Sequence, residues 1–314
     1  FNIMFIKKPR FWDSKNFSIW PIILYPLSII YLFVFNLISK LKKKQIFEIP
    51  IICVGNIYLG GTGKTPLVKE IYNILISIGK KPAIIKKYYN YVEDEISLLE
   101  TTSKVFSDKN RSSSLRKLTQ NNFNVAVMDD GFQDYSIKKD FSILCFNEKQ
   151  WIGNGLVLPA GPLRESLNSL KKANCVFING EKNIQIENQI NKICKSNIFY
   201  FKYIPKNIQK FTNKKIIAFA GIGNPSNFFE LIKRNNLNLI DTKTFPDHYI
   251  FSDKDINELI TKAKNNGSIL LTTEKDYFRI KDNYKIDIEK LEIDLKIENQ
   301  DNFIKLLEEN LWNQ

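Results

Sequence analysis

The sequence predicts an α/β fold in which a mostly parallel sheet is covered by helices on both faces. Short apolar runs rich in β-branched residues recur along the chain, and helical spacing of apolar residues falls between several of them. Such alternation is typical of parallel sheets that are buried on both sides. The chain has 314 residues, of which 44% are hydrophobic, so it can bury a substantial core. The predicted strands cover residues 51–54, 82–85, 123–128, 141–146, 175–178, 216–220 and 268–271.

A polar stretch at 205–215 separates two sets of these strands. We therefore predict one domain over 45–210 and a second, smaller α/β domain over 211–314, preceded by an N-terminal segment, 1–44. The first strand leads into a glycine-rich turn and then into a helix predicted over 65–78, where apolar residues recur with helical spacing.

Cysteine and histidine usage excludes two kinds of scaffold. The single histidine excludes a centre with several histidine ligands. The cysteines form no CxxC pair and lie in apolar runs, which predicts buried thiols in a reducing compartment rather than disulfides or a zinc site. The four are Cys53, Cys145, Cys175 and Cys194.

The net charge of +13 first suggests a nucleic-acid partner, but the charge is unevenly placed. Residues 1–50 hold eight basic and two acidic side chains, so this short stretch carries nearly half of the surplus. The basic residues flank an uncharged segment over 16–39, which is long enough to cross a bilayer. Aromatic residues at Trp20, Tyr25 and Tyr31 suit interfacial depths.

We predict that this N-terminal segment is a membrane-associated helix and that 1–44 is a membrane anchor. A cleaved signal peptide is disfavoured, because lysines rather than small residues follow the apolar stretch. The alternative is a buried helical hairpin broken at Pro21 and Pro26. Whether the segment spans the membrane or lies in the interface stays open, since basic residues flank both ends equally.

The sharpest motif is a glycine-rich loop between the first strand and the first helix. Such a loop presents backbone N–H groups to phosphate oxygens at a helix N-terminus. Its lysine can reach the β- and γ-phosphates of a nucleotide, and its threonine hydroxyl can coordinate Mg²⁺. The strict motif has a glycine where this chain has Tyr58, and a plain turn is the alternative. The loop residues are Gly60, Gly61, Thr62, Gly63, Lys64 and Thr65.

Paired carboxylates, Asp129 and Asp130, end another apolar strand and are candidate Mg²⁺ ligands. Adjacent strand residues point to opposite faces, so we expect one of the two to face the metal directly. The other would orient Lys64 or cap the next turn. The alternative to a metal site is an ordinary solvated turn. Together the loop and the acidic strand end predict a P-loop NTPase-like fold that binds the phosphates of a nucleotide and Mg²⁺.

The sequence resembles the tetraacyldisaccharide 4'-kinase family, the lipid A 4'-kinases of Gram-negative bacteria. The resemblance covers nearly the whole chain, and its most specific motifs are LPAGPLRE and FPDH. The matching motifs are VGN at 54–56, GGTGKTP at 60–66, DDGFQ at 129–133, LPAGPLRE at 158–165, FAGIGNP at 219–225, FPDH at 245–248 and TTEKD at 272–276.

The resemblance implies a kinase that transfers the γ-phosphate of ATP to the 4'-hydroxyl of a tetraacylated disaccharide 1-phosphate. It implies that Asp94 takes the hydroxyl proton, that His248 pairs with Asp94, and that Glu95 is a magnesium ligand. It implies that Arg164 neutralises charge on the transferred phosphoryl group, with Glu165 in support. From the residues alone, a solvated pair before a helix is favoured for Asp94 and Glu95 and a structural role for His248, and Arg164 and Glu165 could form a simple ion pair at a helix start.

The implied partners are an anionic glycolipid substrate and inner-membrane lipids, with no nucleic acid, and the implied location is the cytoplasmic face of the bacterial inner membrane. This chain departs from the family pattern at 86–90 (KKYYN), at Glu93 and at Asp134. Two alternatives therefore stay open: a catalytically weakened membrane-bound paralogue, and a P-loop ATPase that acts on nucleic acid.

Overall fold

The computed structural model describes residues 8–13, 17–89 and 92–312. Residues 1–7 and 14–16 of the predicted anchor, and Asn90 of the altered 86–90 segment, lie outside this description. The helices are α1 (Trp20–Leu41), α2 (Lys64–Ser77), α3 (Glu93–Glu100), α4 (Arg111–Gln120), α5 (Ile184–Asn191), α6 (Pro225–Arg234), α7 (Asp253–Asn265), α8 (Glu274–Arg279) and α9 (Gln300–Leu311). The strands are β1 (Ile51–Gly55), β2 (Pro82–Lys87), β3 (Val105–Asp108), β4 (Val125–Asp129), β5 (Phe141–Asn147), β6 (Cys175–Asn179), β7 (Asn197–Pro205), β8 (Lys215–Ala220), β9 (Asn238–Thr244), β10 (Ile269–Thr273), β11 (Ile288–Leu291) and β12 (Ile293–Ile297).

The described chain forms two compact units. The larger unit comprises residues 8–88, 103–202 and 297–312, and the smaller unit comprises 89–102 and 203–296. Two segments lie on the other side of this division from the one that a boundary at 210 gives them: α3, which carries Asp94, belongs to the smaller unit, and residues 297–312 belong to the larger unit. For α3 the physical reason is packing, because this helix contacts α8 of the smaller unit.

The larger unit is built on parallel and neighbouring strands in the order β7-β6-β5-β1-β4-β2-β3. Strand β1 lies between β5 and β4 and is parallel to both. All five residues of β1 are buried, as are those of β4, which accounts for their apolar, β-branched sequences. Because the central strands are parallel, their carboxyl ends meet at one edge and deliver the P-loop and the acidic pair to the same place.

Helices cover both faces of this sheet, as the sequence predicts. On one face, buried residues of α4 and α5 pack with Cys53 and Met128. On the other face, α9 contributes Phe303, whose ring meets Phe177 edge-on at 4.9 Å between centroids. Alternate residues of each strand therefore supply two separate cores.

The smaller unit has a four-stranded parallel sheet with the order β11-β10-β8-β9. Helix α6 packs on one face through Phe228 and Ile232, and α7 packs on the other through Ile256 and Leu259. The predicted strands at 216–220 and 268–271 are confirmed as β8 and β10. Strands β3, β7, β9, β11 and β12 were not predicted from the sequence.

Helix α1 is one continuous helix that runs through Pro26, so the alternative of a broken, buried hairpin is wrong. The helix is long and apolar enough to cross a membrane: its mean hydropathy over an 18-residue window is 2.1, and 6% of that window is buried. One side of α1 nevertheless packs on other parts of the larger unit, to which the helix belongs. Ser28 Oγ donates to Val157 O at 2.9 Å and accepts from Ala160 N at 3.1 Å.

Candidate active site

The P-loop follows β1 directly and ends where α2 begins. Gly63 is the N-cap of α2 and has a φ of 96°, and Gly60 has a φ of 147°. These backbone conformations favour glycine, which explains why the loop is glycine-rich at these two positions. Lys64 and Thr65 occupy the first positions of the 14-residue helix α2. The N–H groups of this helix terminus and the Lys64 ammonium could hold anionic phosphate groups.

Asn56 organises the loop from inside. Its Nδ2 donates to Tyr58 O at 2.6 Å and to Thr62 Oγ1 at 3.2 Å, and the side chain is fully buried. Cys145 Sγ lies 3.2 Å from Thr62 O. The loop shape is therefore set by buried side-chain contacts as well as by its glycines.

Tyr58, which replaces the usual first glycine of the motif, is fully buried and has a structural role. Its hydroxyl donates to Asp13 Oδ1 at 2.6 Å, and Lys8 contacts both residues. Burial and the bond to Asp13 raise the pKa of Tyr58 well above its usual range. The tyrosine therefore ties the segment that precedes α1 to the P-loop, a role that the motif comparison did not predict.

Asp130 gathers the cations of the phosphate site. Lys64 Nζ lies 3.5 Å from Asp130 Oδ1, and Arg164 Nη1 lies 3.2 Å from the same oxygen. Burial alone would raise the pKa of Asp130, but the charges of Lys64, Arg164, Lys86 and Arg111 outweigh it and hold that pKa well below its usual range. Asp130 is therefore a carboxylate at neutral pH and is the acidic residue that contacts Lys64.

Asp129 points elsewhere and forms a buried ion pair with Lys86. The two residues are register partners on β4 and β2, and their side chains are 1% and 6% exposed. The chain thus uses the first lysine of the altered 86–90 segment to neutralise the first acid of the strand end. This contact places the two adjacent carboxylates in different environments, as the alternation along a strand requires.

The oxygen donors near the P-loop fit a magnesium ion bound together with a nucleotide. Asp129 Oδ1 is buried and has no hydrogen-bond partner in the described part of the chain, and Thr65 carries a hydroxyl at the start of α2. Mg²⁺ prefers such hard oxygens and usually shares them with phosphate groups. No cluster of three or more histidine, cysteine or acidic side chains able to hold a metal occurs among the residues that the structure describes.

Two residues of the motifs named above, Gln133 and Glu165, orient Arg164 and the loop that carries it. Gln133 Oε1 accepts from Arg164 Nη1 at 3.4 Å, and Gln133 Nε2 donates to Glu165 Oε1 at 3.1 Å. Glu165 is 2% exposed and accepts from Tyr135 OH and Ser169 Oγ, each at 2.7 Å. The carboxylate therefore anchors the loop that carries Arg164.

Arg111 is a residue of this site that sequence reasoning missed. Its Nη2 donates to the backbone carbonyls of Asp130 at 2.7 Å and Asp129 at 3.3 Å, and its Nη1 donates to Asp134 at 3.2 Å. A buried arginine on a helix would have been the available signal, but burial is not visible in the sequence.

In the smaller unit, Asp94 and His248 come together from distant parts of the sequence. His248 Nδ1 lies 4.0 Å from Asp94 Oδ1, which is beyond hydrogen-bond distance. His248 has a left-handed backbone conformation, with φ at 57°. Burial, and next the charge of Lys275, lower the pKa of His248 below 6.5, so the ring is neutral at pH 7.

Glu95, the expected magnesium ligand, lies beside Lys275 in this unit. The distance from Lys275 Nζ to Glu95 Oε1 is 2.7 Å, and His248 Nε2 lies 3.3 Å from the same ammonium group. Asp94 itself accepts two bonds from Arg279, from Nε at 2.8 Å and from Nη2 at 2.6 Å. Arg279 lies three positions beyond the TTEKD motif and was not predicted from the sequence.

The fold and this site define the class of protein: an ATP-dependent kinase of the P-loop NTPase type. A sequence profile described as LpxK: Tetraacyldisaccharide-1-P 4'-kinase matches residues 20–311. The chain belongs to the tetraacyldisaccharide 4'-kinase family, which confirms the resemblance found in its motifs.

The relatives match over nearly their full length. The tetraacyldisaccharide 4'-kinase of Pelagibacter ubique is 43% identical over 98% of this chain and all of its own. That of Rickettsia bellii is 33% identical over 93% of this chain and 94% of its own.

Among solved structures, LpxK from Aquifex aeolicus in complex with ATP matches with a TM-score of 0.72. The match has 23% identity and covers 93% of this chain and 99% of that one. It confirms the predicted fold class. The comparisons support neither the nucleic-acid ATPase nor the weakened paralogue.

Proposed function

We propose that the chain transfers the γ-phosphoryl group of ATP to the 4'-hydroxyl of tetraacyldisaccharide 1-phosphate, a step of lipid A biosynthesis. The observation that carries the proposal is the placement of Lys64 and Arg164 around Asp130 at the P-loop, in a chain of this kinase family. A loop of backbone N–H groups with two cations suits a triphosphate whose terminal group gains charge during transfer.

In the larger unit, the P-loop N–H groups and Lys64 would bind the β- and γ-phosphates. Arg164 would stabilise the oxygens of the group in transfer, and it is already oriented by Gln133 and Asp130. Asp130 would keep both cations in place before the nucleotide arrives. Thr65, Asp129 and Asp130 would hold Mg²⁺, which supplies positive charge to the phosphates when it is bound.

In the smaller unit, Asp94 would act as the base. The sugar oxygen forms a bond to the γ-phosphorus, the bond from that phosphorus to the β,γ-bridging oxygen breaks, and ADP leaves. The hydroxyl proton passes to Asp94. Neutral His248, 4.0 Å away, would accept a hydrogen bond from the protonated carboxyl group and so support the transfer.

We further propose that α1 lies in the membrane interface instead of crossing the bilayer. Its contacts with the larger unit occur at its middle, where Tyr31 OH donates to Arg164 O at 3.0 Å and Phe35 meets the Tyr135 ring. A spanning helix would carry Arg164 and Asp130 into hydrocarbon, at about 2.5–3.5 kcal/mol for each charged group. The opposite side of α1 exposes apolar side chains that suit the acyl boundary. They are Ile22, Ile23, Leu27, Ile30, Phe33, Val34, Leu37 and Leu41.

This arrangement would place the protein on the cytoplasmic face of the bacterial inner membrane. Basic residues at 40 and 42–44 follow the apolar face and would contact anionic lipid head groups and the anionic glycolipid substrate. All four cysteines are free, which fits a reducing compartment.

The test is phosphorylation of the disaccharide by the full-length protein with γ-labelled ATP and Mg²⁺ in mixed micelles. We expect labelled lipid, a loss of nucleotide affinity in Lys64→Met, and a fall in kcat of about 10²–10⁴-fold in Asp94→Asn with nucleotide affinity retained. Glu93→Gln, an exposed neighbour on α3, is the matched control and should keep the wild-type rate. An absence of labelled lipid would contradict the proposed function, and an active Asp94→Asn would contradict the role of Asp94.

A further inference from the structure

Arg279 holds Asp94 by one of its two carboxylate oxygens. Both bonds from the guanidinium group go to Oδ2, from Nε at 2.8 Å and from Nη2 at 2.6 Å. The other oxygen, Oδ1, is the one that lies 4.0 Å from His248 Nδ1. The two oxygens of Asp94 therefore have different surroundings: Oδ2 accepts the bonds of Arg279, and Oδ1 is the oxygen that could accept a proton.

The guanidinium group is itself fixed by the sheet of the smaller unit. Nη1 donates to Gly221 O at 2.8 Å, just after β8, and to Asp276 Oδ1 at 2.9 Å. Asp276 is fully buried, and its Oδ2 accepts from Gly221 N at 2.9 Å and from Thr273 Oγ1 at 2.8 Å. Arg279 thus links the start of α3 to the carboxyl ends of β8 and β10 through a planar set of donors.

Burial makes this network sensitive to geometry. The side chains of Arg279 and Asp94 are 9% and 7% exposed. Two charge-assisted bonds from the guanidinium fork to one carboxylate oxygen fix the position of that oxygen, and the ammonium group of a lysine cannot reproduce this pair of donors. Arg279 also places its positive charge between the side chains of Asp94 and Asp276.

We propose that Arg279 is a positioning residue for phosphoryl transfer, which holds the Asp94 carboxylate in the orientation that presents Oδ1 to the sugar hydroxyl. The proposal rests on the proposed function and on Asp94 as its base. Arg279 contacts neither substrate in this mechanism and acts through Asp94. A purely structural Arg279 would instead hold α8 against α3, without a specific effect on turnover.

The experiment compares Arg279→Ala and Arg279→Lys with Arg234→Ala, an exposed arginine at the end of α6 that serves as the matched control. We expect Arg279→Ala to lower kcat about 100-fold, the scale of a misplaced catalytic group, with little change in the KM for ATP. Arg279→Lys keeps the charge without the fork and should fold with an intermediate kcat. Binding of a fluorescent ATP analogue checks that the larger unit is intact in each variant.

Two further measurements separate positioning from a structural role. Guanidinium chloride, well below denaturing concentrations, should restore part of the kcat of Arg279→Ala, while sodium chloride at equal ionic strength should not. In the Asp94→Asn background, Arg279→Ala should cause little further loss, because the group it positions is already disabled.

Wild-type kcat in either Arg279 variant, absence of guanidinium rescue in a folded Arg279→Ala, or an equal loss in the Asp94→Asn background would overturn the proposal. If Arg279→Ala does not fold, Arg279→Lys decides alone: an unchanged kcat overturns the proposal and a lowered kcat with retained nucleotide binding supports it. An inactive wild type would overturn the proposed function instead, so the two failures are distinguishable.

Discussion

Replacement of Lys86 by methionine is expected to destabilise the larger unit by about 3–5 kcal/mol, because it leaves a buried carboxylate without its counter-charge. The structure provides the basis for this magnitude. Asp129 is 1% exposed, its Oδ2 is bonded to Lys86, and its Oδ1 has no hydrogen-bond partner in the described part of the chain. Removal of the ammonium group therefore removes the bonded partner of the Asp129 side chain.

The measurement is thermal unfolding followed by circular dichroism, with urea unfolding as a second route to the free energy. For a unit of this size, a loss of that magnitude lowers the melting temperature by roughly 6–20 °C. Lys81→Met, at an exposed position immediately before β2, is the matched control and should melt within a few degrees of the wild type.

The double variant Lys86→Met/Asp129→Asn tests the reasoning directly. Because asparagine is neutral, the double variant leaves no buried charge without a counter-charge, and it should recover most of the stability lost in Lys86→Met alone. A Lys86→Met protein that loses less than about 1 kcal/mol, a typical value for an exposed pair, would refute the argument. So would a double variant that is no more stable than the single one.

Four further predictions rest on the contacts and exposures described above. The acid limb of the kcat/KM profile should lie below pH 6.5, because burial and the charge of Lys275 lower the pKa of His248. Lys275→Met should move that limb to higher pH, and an unmoved limb would contradict this cause. Because the unfolded chain binds the His248 proton at higher pH than the folded one, urea stability should fall as the pH drops below 6.5, and less so in His248→Gln. Tyr58→Phe removes the hydroxyl bond to Asp13 and should lower unfolding free energy by about 1 kcal/mol, with weaker ATP-analogue binding; unchanged melting would count against the structural role of the tyrosine. Ile30→Asn, on the exposed side of α1, should reduce binding to anionic vesicles about tenfold in a sedimentation assay, since burial of such a side chain contributes about 1.5–3 kcal/mol; equal binding would contradict the interfacial placement.

Much of the fold could be predicted because the buried central strands have a strong local signal. Strands such as β1 and β5 are mostly apolar, and each is buried along its whole length. Strand β9 was missed because most of its residues are polar and it is largely exposed, and β3 because none of its residues is fully buried. Edge strands show the sequence pattern of loops, since one side of them remains in contact with solvent.

The candidate site divides in the same way. Lys64 and Thr65 lie in a local motif whose loop and helix are contiguous, so their placement follows from short-range order. Arg111, Lys86 and Arg279 act across long sequence separations through buried contacts with residues on other elements. No local spacing reports such contacts, and each was found only when the elements were packed.

The sequence by itself determined the class of fold, the phosphate loop and the membrane-seeking segment, because each depends on residues that are neighbours in the chain. The tertiary structure decided which acidic side chain pairs with each cation. Lys86 forms an ion pair with Asp129, Lys64 and Arg164 both contact Asp130, and Arg279 forms an ion pair with Asp94. The tertiary structure also assigned α3 to the smaller unit. The reason is that buried charges require partners, and parallel sheets and packed helices bring those partners from distant parts of the sequence.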